Sequence, residues 1–467
     1  MKQKTPQNNR TKQKVRTNQI AGSFRDPAGF VFKDDKGEVF RQINPVGFDD
    51  FQFASQNGLY QWLWTQELLI KHTVVKKSKD KIIIEPQQVS TISYPFEWSF
   101  SMLKDAALLT LRAQKAALSH NMTLKDASAY NVQFVSGKPM LIDTLSFEKY
   151  QSGSPWVAYG QFCRHFLAPL ALMSKTDIRL SQLLIEYIDG VPLDLASSLL
   201  PKSTKLSPSL LMHLHLHASA QKKKSDSTAK SDRKVSKTRL LAIIDSLERA
   251  ITQLKIKKTK TEWGDYYQNT NYSNTSTQSK TKLIKSFAKK VPNLEKVVDL
   301  GGNDGTYSRI FSKQKIDTIC TDIDPLAVEV NYQTSIEQAD NHMLPLVINL
   351  INPGGAMGWA NAERESIEKR FRGDLVLALA LIHHLAISNN LPLSKIAEYF
   401  SKFGPYLIIE FVPKSDSKVK KLLATRRDIF EGYTQEGFED SFQKYYSVVE
   451  SKSIPGSKRT LYLLKRK

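Results

Sequence analysis

Asp299-Leu300-Gly301-Gly302-Asn303-Asp304-Gly305 decides the reading of this 467-residue chain. The apolar run that enters it, Val297 to Leu300, reads as a buried parallel strand, and the paired glycines end that strand in a tight turn. Glycine lets a backbone pass close to a ligand and take positive φ. A helix is expected next, from Thr306 to Lys313. Its free N–H groups and the positive end of its dipole face the turn. About twenty residues further on, Thr318 to Thr321 reads as a second strand ending at Asp322, where an acid can accept hydrogen bonds from both hydroxyls of a ribose. Asp324-Pro325 opens the following helix, proline being suited to a first turn.

Working outward, Leu346 to Leu350, Asp374 to Leu381 and Tyr406 to Val412 read as further strands. Tyr445 to Glu450 and Thr460 to Leu464, joined through Pro455-Gly456-Ser457, read as a closing hairpin. Strands alternating with helices give an α/β fold, a right-handed doubly wound sheet with ligands at the carboxyl ends of its strands. The nicotinamide fingerprint GxGxxG does not lie over residues 299–305, which argues against a dehydrogenase.

These spacings resemble motif I and the following acidic motif of class I methyltransferases, acid-x-Gly-x-Gly-x-Gly. Asp299, Gly301 and Gly305 match, and Asn303 stands at the middle glycine, where asparagine tolerates left-handed φ. The resemblance implies a Rossmann-like seven-stranded sheet with S-adenosylmethionine as cofactor. It would be held by Asp299, Gly301, Gly302, Asn303, Gly305, Asp322, Ile323 and Asn349. His383, His384 and Glu410, at the carboxyl ends of later strands, are the catalytic candidates; a histidine there serves as a base or as a packing group. Trp263-Gly264-Asp265-Tyr266-Tyr267 matches an aromatic helix that caps the cofactor in related enzymes.

The N-terminal half is read separately. Ser99 to about Asn121 is a long Ala- and Leu-rich helix. It leads into Leu124-Lys125-Asp126-Ala127-Ser128-Ala129-Tyr130-Asn131, then a short hairpin and Met140-Leu141-Ile142-Asp143. Ala28 to Phe32 and Val39 to Arg41 form an earlier hairpin, and Glu67 is expected on a helix. An α+β domain of this kind resembles kinase-like folds such as aminoglycoside and choline phosphotransferases. The resemblance makes Asp126, Asn131 and Asp143 a phosphotransferase-like site for ATP and magnesium. The sequence departs from that pattern. Leu124-Lys125 replaces the usual His or Arg context, Thr144 follows the second Asp, no glycine-rich phosphate loop is visible, and Arg41 stands where a strand lysine is expected. The alternative is that Asp126 and Asn131 order a loop and Asp143 caps a turn. As a whole the chain resembles a bacterial group of two-part, nodulation-protein-type methyltransferases, in which the segments around Ser93 to Trp98, Leu124 to Asn131 and Leu141 to Phe147 recur.

The expected organisation is a basic tail at 1–21, a kinase-like domain at 22–200, a basic low-complexity linker at 201–238 and a methyltransferase domain at 239–467. The net charge is +21. Most of it sits in the tail, with Lys2, Lys4, Arg10, Lys12, Lys14 and Arg16 and no acid, and in the linker. Such segments hold RNA or an anionic membrane through counterion release or are simply solvated chain. His213, His215 and His217 alternate in the linker, but no Cys or acid lies near to complete a metal site. Cys163 and Cys320 are too few for a disulfide or zinc framework, and no metal is expected. No apolar run reaches transmembrane length, and the N-terminus lacks the apolar region of a secretory signal; a cytoplasmic setting is expected. Three functions follow. The first is a methyltransferase whose N-terminal domain recognises a small-molecule or glycan acceptor. The second is a bifunctional enzyme with an added phosphotransferase. The third is an RNA-binding protein, for which no stacking module is visible.

Overall fold

The computed structural model describes residues 19–219, 234–256, 274–424 and 426–467. The basic stretch before residue 19, residues 220–233 of the linker and the segment Trp263 to Tyr267 lie outside the described residues.

The first half begins with an antiparallel sheet in the order β1-β2-β4-β3, made of β1 (Gly29–Lys33), β2 (Val39–Ile43), β3 (His72–Lys77) and β4 (Ile82–Pro86). The β1–β2 turn is set locally. The Asp34 carboxylate accepts from the N–H groups of Lys36 and Glu38, both at 2.9 Å, and Gly37 takes φ 86°. The helix Phe100–Ser119 follows, buried along nearly all its length because apolar residues occupy most of its faces. Two short pairs lie beyond it: β5 (Met122–Leu124) with β8 (Phe147–Lys149), and β6 (Val132–Val135) with β7 (Lys138–Leu141). Glu67 is not helical. It sits past the end of the helix Leu59–Thr65 at φ 54°, where its carboxylate pairs with Lys138 at 2.6 Å.

The second half is one seven-stranded sheet. Its strands are β9 (Lys296–Leu300), β10 (Asp317–Asp322), β11 (Met343–Val347), β12 (Leu375–Ala378), β13 (Tyr406–Phe411), β14 (Tyr446–Ser453) and β15 (Thr460–Arg466). The order is β11-β10-β9-β12-β13-β15-β14. β9 to β13 are parallel, and β15 enters antiparallel between β13 and β14. Counted within the sheet this is 3-2-1-4-5-7-6, the class I methyltransferase arrangement, and the chain reverses direction across the sheet between β9 and β12, where a crevice opens.

Four further expectations shift. The third strand is Met343–Val347, not Leu346 to Leu350. Pro345 is tolerated inside it because β11 is an outermost strand, where an N–H missing from the open side removes no ladder bond. The helix expected from Thr306 to Lys313 is only Arg309–Ser312, preceded by turns. Residues 201–219 are not a linker: they fold into helical turns that bury Leu210, His213, Leu214 and His215. The alternation of Leu and His concealed this, because the imidazoles of His213 and His215 are satisfied internally. His213 lies between Tyr159 Oη at 2.8 Å and Ser246 Oγ at 2.9 Å, and His215 lies between Ser197 Oγ at 2.8 Å and Thr204 Oγ1 at 2.9 Å. The helix Lys237–Gln253, assigned by sequence to the second domain, packs instead on Phe100–Ser119, with Lys115 paired to Asp245 at 2.7 Å and to Glu248.

The two halves share one core. The rings of Phe134 and Tyr332 meet edge-on at 5.9 Å. Tyr332 Oη donates to Asp105 at 2.8 Å, and Ser101 N donates to Glu329 at 2.9 Å. The guanidinium of Arg370 forks onto the carboxylate of Glu97, both side chains being fully buried, and also donates to Ile92 O at 2.7 Å.

Candidate functional site

At the end of β9 the chain turns through Gly301 at φ 74° and Asn303 at φ 52°. Gly302 N donates to Thr321 O at 2.8 Å, which ties the turn to β10. A Cβ on Gly302 would lie 2.5 Å from Cys320 Sγ and 2.8 Å from Asp299 Oδ2, so the turn admits no side chain there. Gly302→Ala is expected to lower stability by about 1–3 kcal/mol through overpacking, read as a fall in the urea midpoint. An unchanged midpoint would show that the turn has room to yield.

Two buried acids flank this turn. Burial pushes the Asp299 carboxyl up to about 7, although Ser308 Oγ donates to its Oδ2 at 2.6 Å. Its Oδ1 is buried without a hydrogen-bond partner. Asp322 closes β10. Burial raises it to about 6, opposed by the backbone N–H groups of Asp324 and Asn303, each 2.9 Å from one of its oxygens. The Asn303 contact makes the aspartate and the glycine turn one unit.

Together they border a cavity of about 310 Å³ at the carboxyl ends of the central strands. Of the residues expected around a cofactor, Asp299, Gly301, Gly302, Asn303, Asp322, Ile323 and Asn349 line it. Ile323 is exposed at its rim, and Asn349 Oδ1 accepts from Ile351 N at 3.0 Å in the turn after β11. Gly305 is not on the wall. It packs against the helix Pro325–Glu337, where a Cβ would come within 2.5 Å of Asn331 Nδ2.

The three catalytic candidates separate. His384 lines the cavity, and burial, with the charges of Arg459 and Lys418, depresses it to about 4, so it is neutral near pH 7. His383 is buried beside it, ring to ring at 4.1 Å, away from the wall, and burial holds it far below the ordinary histidine range. Glu410 is also off the wall. It is fully buried and ion-paired with Lys280 Nζ at 2.6 Å and Arg459 Nη1 at 3.1 Å.

Sequence reasoning missed Lys280, Tyr307, Leu379 to Leu381, Ser388 and Leu422 on the wall. Lys280 had a usable signal. It lies on the helix Asn274–Ala288 in a buried stripe with Ser276, Ile284 and Phe287, and its Nζ stands 4.4 Å from the centre of the Tyr307 ring. A lysine at the apolar period of a helix is one that needs a buried counter-charge.

In the first half the phosphotransferase-like residues are held by their own loops. Asp126 Oδ1 accepts from Ser128 N at 2.9 Å and Gln161 Nε2 at 2.8 Å. Asn131 Nδ2 donates to Ser146 Oγ at 3.2 Å. Asp143 caps the turn Thr144–Ser146 through Leu145 N at 2.8 Å and is ion-paired with Arg41. Among the described residues no group of three or more His, Cys, Asp or Glu is placed to hold a metal ion, and no helix is long and apolar enough to cross a membrane.

No family model matches the chain. Among solved structures it is similar to the N-methyltransferase NodS from Bradyrhizobium japonicum WM9 in complex with S-adenosyl-L-homocysteine, at 11% identity and a TM-score of 0.31 over 42% of this chain and 89% of that one. It is similar to the bifunctional kinase-methyltransferase WbdD at 14% identity and a TM-score of 0.30, covering 44% of this chain and 43% of that one. Magnesium protoporphyrin IX methyltransferase from Synechocystis PCC 6803 with bound SAM gives 14% identity and a TM-score of 0.30 over 44% and 89%. Among curated proteins, the nodulation protein NoeA of Rhizobium meliloti (strain 1021) is 35% identical over 467 residues, covering 97% of each chain. With that identity along the length of both halves, the chain belongs to the family of the nodulation protein NoeA, and its own second half carries the seven-stranded doubly wound sheet.

Proposed function

We propose that the chain is an S-adenosylmethionine-dependent methyltransferase acting on a small-molecule or glycan acceptor. The observation that carries this reading is the single cavity bordered by the glycine turn, Asp322 and Asn349 at the reversal point of the sheet. When bound, the cofactor supplies an electrophilic methyl group on a sulfonium centre. Gly301, Gly302 and Asn303 let its chain pass close to the backbone. Asp322 accepts from the ribose hydroxyls, Asn349 meets the adenine edge, and the orphan oxygen of Asp299 is available to the amino acid end. His384, neutral near pH 7, accepts a hydrogen bond from the acceptor and orients it; a base with a pKa of about 4 holds a proton poorly. The first half buttresses the segment after β11, since Arg370 and Glu365 are both bonded to the stretch Ile92 to Glu97. The phosphotransferase alternative is not adopted, because Arg41 already occupies Asp143.

The test is calorimetric titration of S-adenosylmethionine and S-adenosylhomocysteine into wild type and Asp322→Ala. Loss of one charged acceptor should weaken binding by about 1.5–3 kcal/mol. Folded wild type that binds neither ligand would sink the reading. The ionised form of Asp322 is the one that accepts from a ribose, and its carboxyl sits at about 6. Cofactor affinity should therefore be full well above pH 6 and fall as the pH drops through it. A flat profile between pH 5 and about 7.5 would remove Asp322 from the ribose.

A further inference from the structure

Both acids and bases border the cavity. The carboxylates on its wall, among the described residues, are Asp299 and Asp322, both at the glycine turn. Lys280, at the same end, is matched by Glu410. The wall also carries His384, Ser388 and Leu422. Leu422 belongs to the helix Ser417–Leu423, which packs against the turn His384–Ser388. Lys418 is one helical turn before Leu422 and so shares its face, and its charge, with that of Arg459, bears on His384. Arg426 closes the same rim, its guanidinium donating to Ile387 O at 2.5 Å and Ser388 O at 3.4 Å. Between residues 414 and 427 the basic residues are Lys414, Lys418, Lys420, Lys421, Arg426 and Arg427, against the single acid Asp416. Asp416 is engaged by Arg459 at 2.8 Å, and Lys414 is paired with Asp428 at 2.8 Å, which leaves Lys418 and Arg426 as the cations nearest the wall residues His384 and Ser388.

We infer that the methyl acceptor is an anionic small molecule, whose phosphate or carboxylate group docks against Lys418 and Arg426 while its methylated atom faces His384. This rests on the methyltransferase reading and adds the charge class of the acceptor to it. Clustered cations beside a crevice focus an anion toward it, and guanidinium and ammonium groups bind phosphate and carboxylate by charge-assisted hydrogen bonds. A neutral glycan would make only the weaker hydrogen bonds of its uncharged oxygens with them.

The experiment uses the full chain saturated with S-adenosylhomocysteine. Inorganic phosphate and acetate are titrated separately into wild type, Lys418→Gln, Arg426→Gln and Lys420→Gln, with a short single-stranded RNA as a further probe. Lys420 lies on the same helix but is turned away from the face of Lys418 and Leu422. The expected result is saturable binding of at least one anion, weakened about tenfold in each of Lys418→Gln and Arg426→Gln and unchanged in Lys420→Gln. Which anion binds separates a phosphorylated from a carboxylated acceptor. S-adenosylhomocysteine affinity should be the same in all four proteins and serves as the check on folding. Three results overturn the assignment: no anion binds the loaded protein; Lys420→Gln weakens binding as much as the others; or RNA binds far more tightly than either anion and is lost in the same variants, which makes the rim a nucleic-acid surface. If S-adenosylhomocysteine itself fails to bind, the methyltransferase reading falls, and this assignment falls with it.

Discussion

Glu410→Gln should cost about 3–5 kcal/mol of stability, because it removes the buried carboxylate that Lys280 and Arg459 share, Arg459 keeping only Asp416. Lys280 and Arg459 both point at Glu410, and the three side chains are at most 3% exposed. Burial alone lowers the Lys280 ammonium from its ordinary range, and the Glu410 charge opposes that shift. A neutral amide of the same shape keeps the packing but removes the charge and one of the two accepting oxygens, so the loss reports the polar interactions rather than a cavity. Urea unfolding of the cofactor-free protein measures it. The same variant separates two roles for this residue. A glutamate acting on the acceptor would leave the unfolding midpoint unchanged and lower turnover. A glutamate that holds the floor of the cavity lowers the midpoint first. A midpoint within experimental error of wild type would return Glu410 to the catalytic candidates.

Glu97→Ala should be comparably damaging, by about 3–5 kcal/mol, for the same reason at a different place. Arg370 forks onto Glu97 with side-chain exposures of 1% and 0%, and nearby rings of Tyr94 and Phe371 lie 4.0 Å and 4.6 Å from its guanidinium carbon. Removing one partner leaves a guanidinium in apolar surroundings. Replacing both, as Glu97→Met with Arg370→Met, should restore most of the loss, because no charge is then buried. A double variant as unstable as the single would mean that the pair's other hydrogen bonds dominate, including Arg370 to Ile92 O and Glu97 to Tyr94 N. S-adenosylhomocysteine affinity should fall in the single variant too, since Arg370 anchors the segment that begins at the cavity wall with Asn349 to Ile351.

What the sequence disclosed, and what it withheld, follow one physical rule. The turn at Asp299 to Gly305 and the strand tip at Asp322 were legible because glycine, asparagine and an acid at a strand end are constrained by local backbone geometry. The doubly wound sheet followed from the alternation of elements. Lys280, Glu410 and Arg459 were not legible as a group. Lys280 is 130 residues from Glu410, and Arg459 is 49 from it, so no local pattern joins them. A glutamate at a strand end reads the same whether it faces a crevice or an ion pair. The pairing of Glu97 with Arg370 spans 273 positions and was invisible for the same reason. The helical turns at 201–219 were hidden by composition, since a histidine that is satisfied by hydroxyls from elsewhere in the fold looks polar in sequence. Arg41 was read as a departure from a kinase-like strand lysine; the structure gives it a definite job, neutralising Asp143.

The shared interface bears on how such a chain is inherited. A gene split between the halves would release two proteins, one displaying a bare carboxylate at Glu97 and the other a bare guanidinium at Arg370, each ringed by aromatic surface meant for the other. Neither fragment would be well behaved in solution without its counterpart. Recombination that swaps only the methyltransferase half is therefore tolerated only when the incoming half brings an equivalent cation, so the two parts are expected to be exchanged among genomes as a single block.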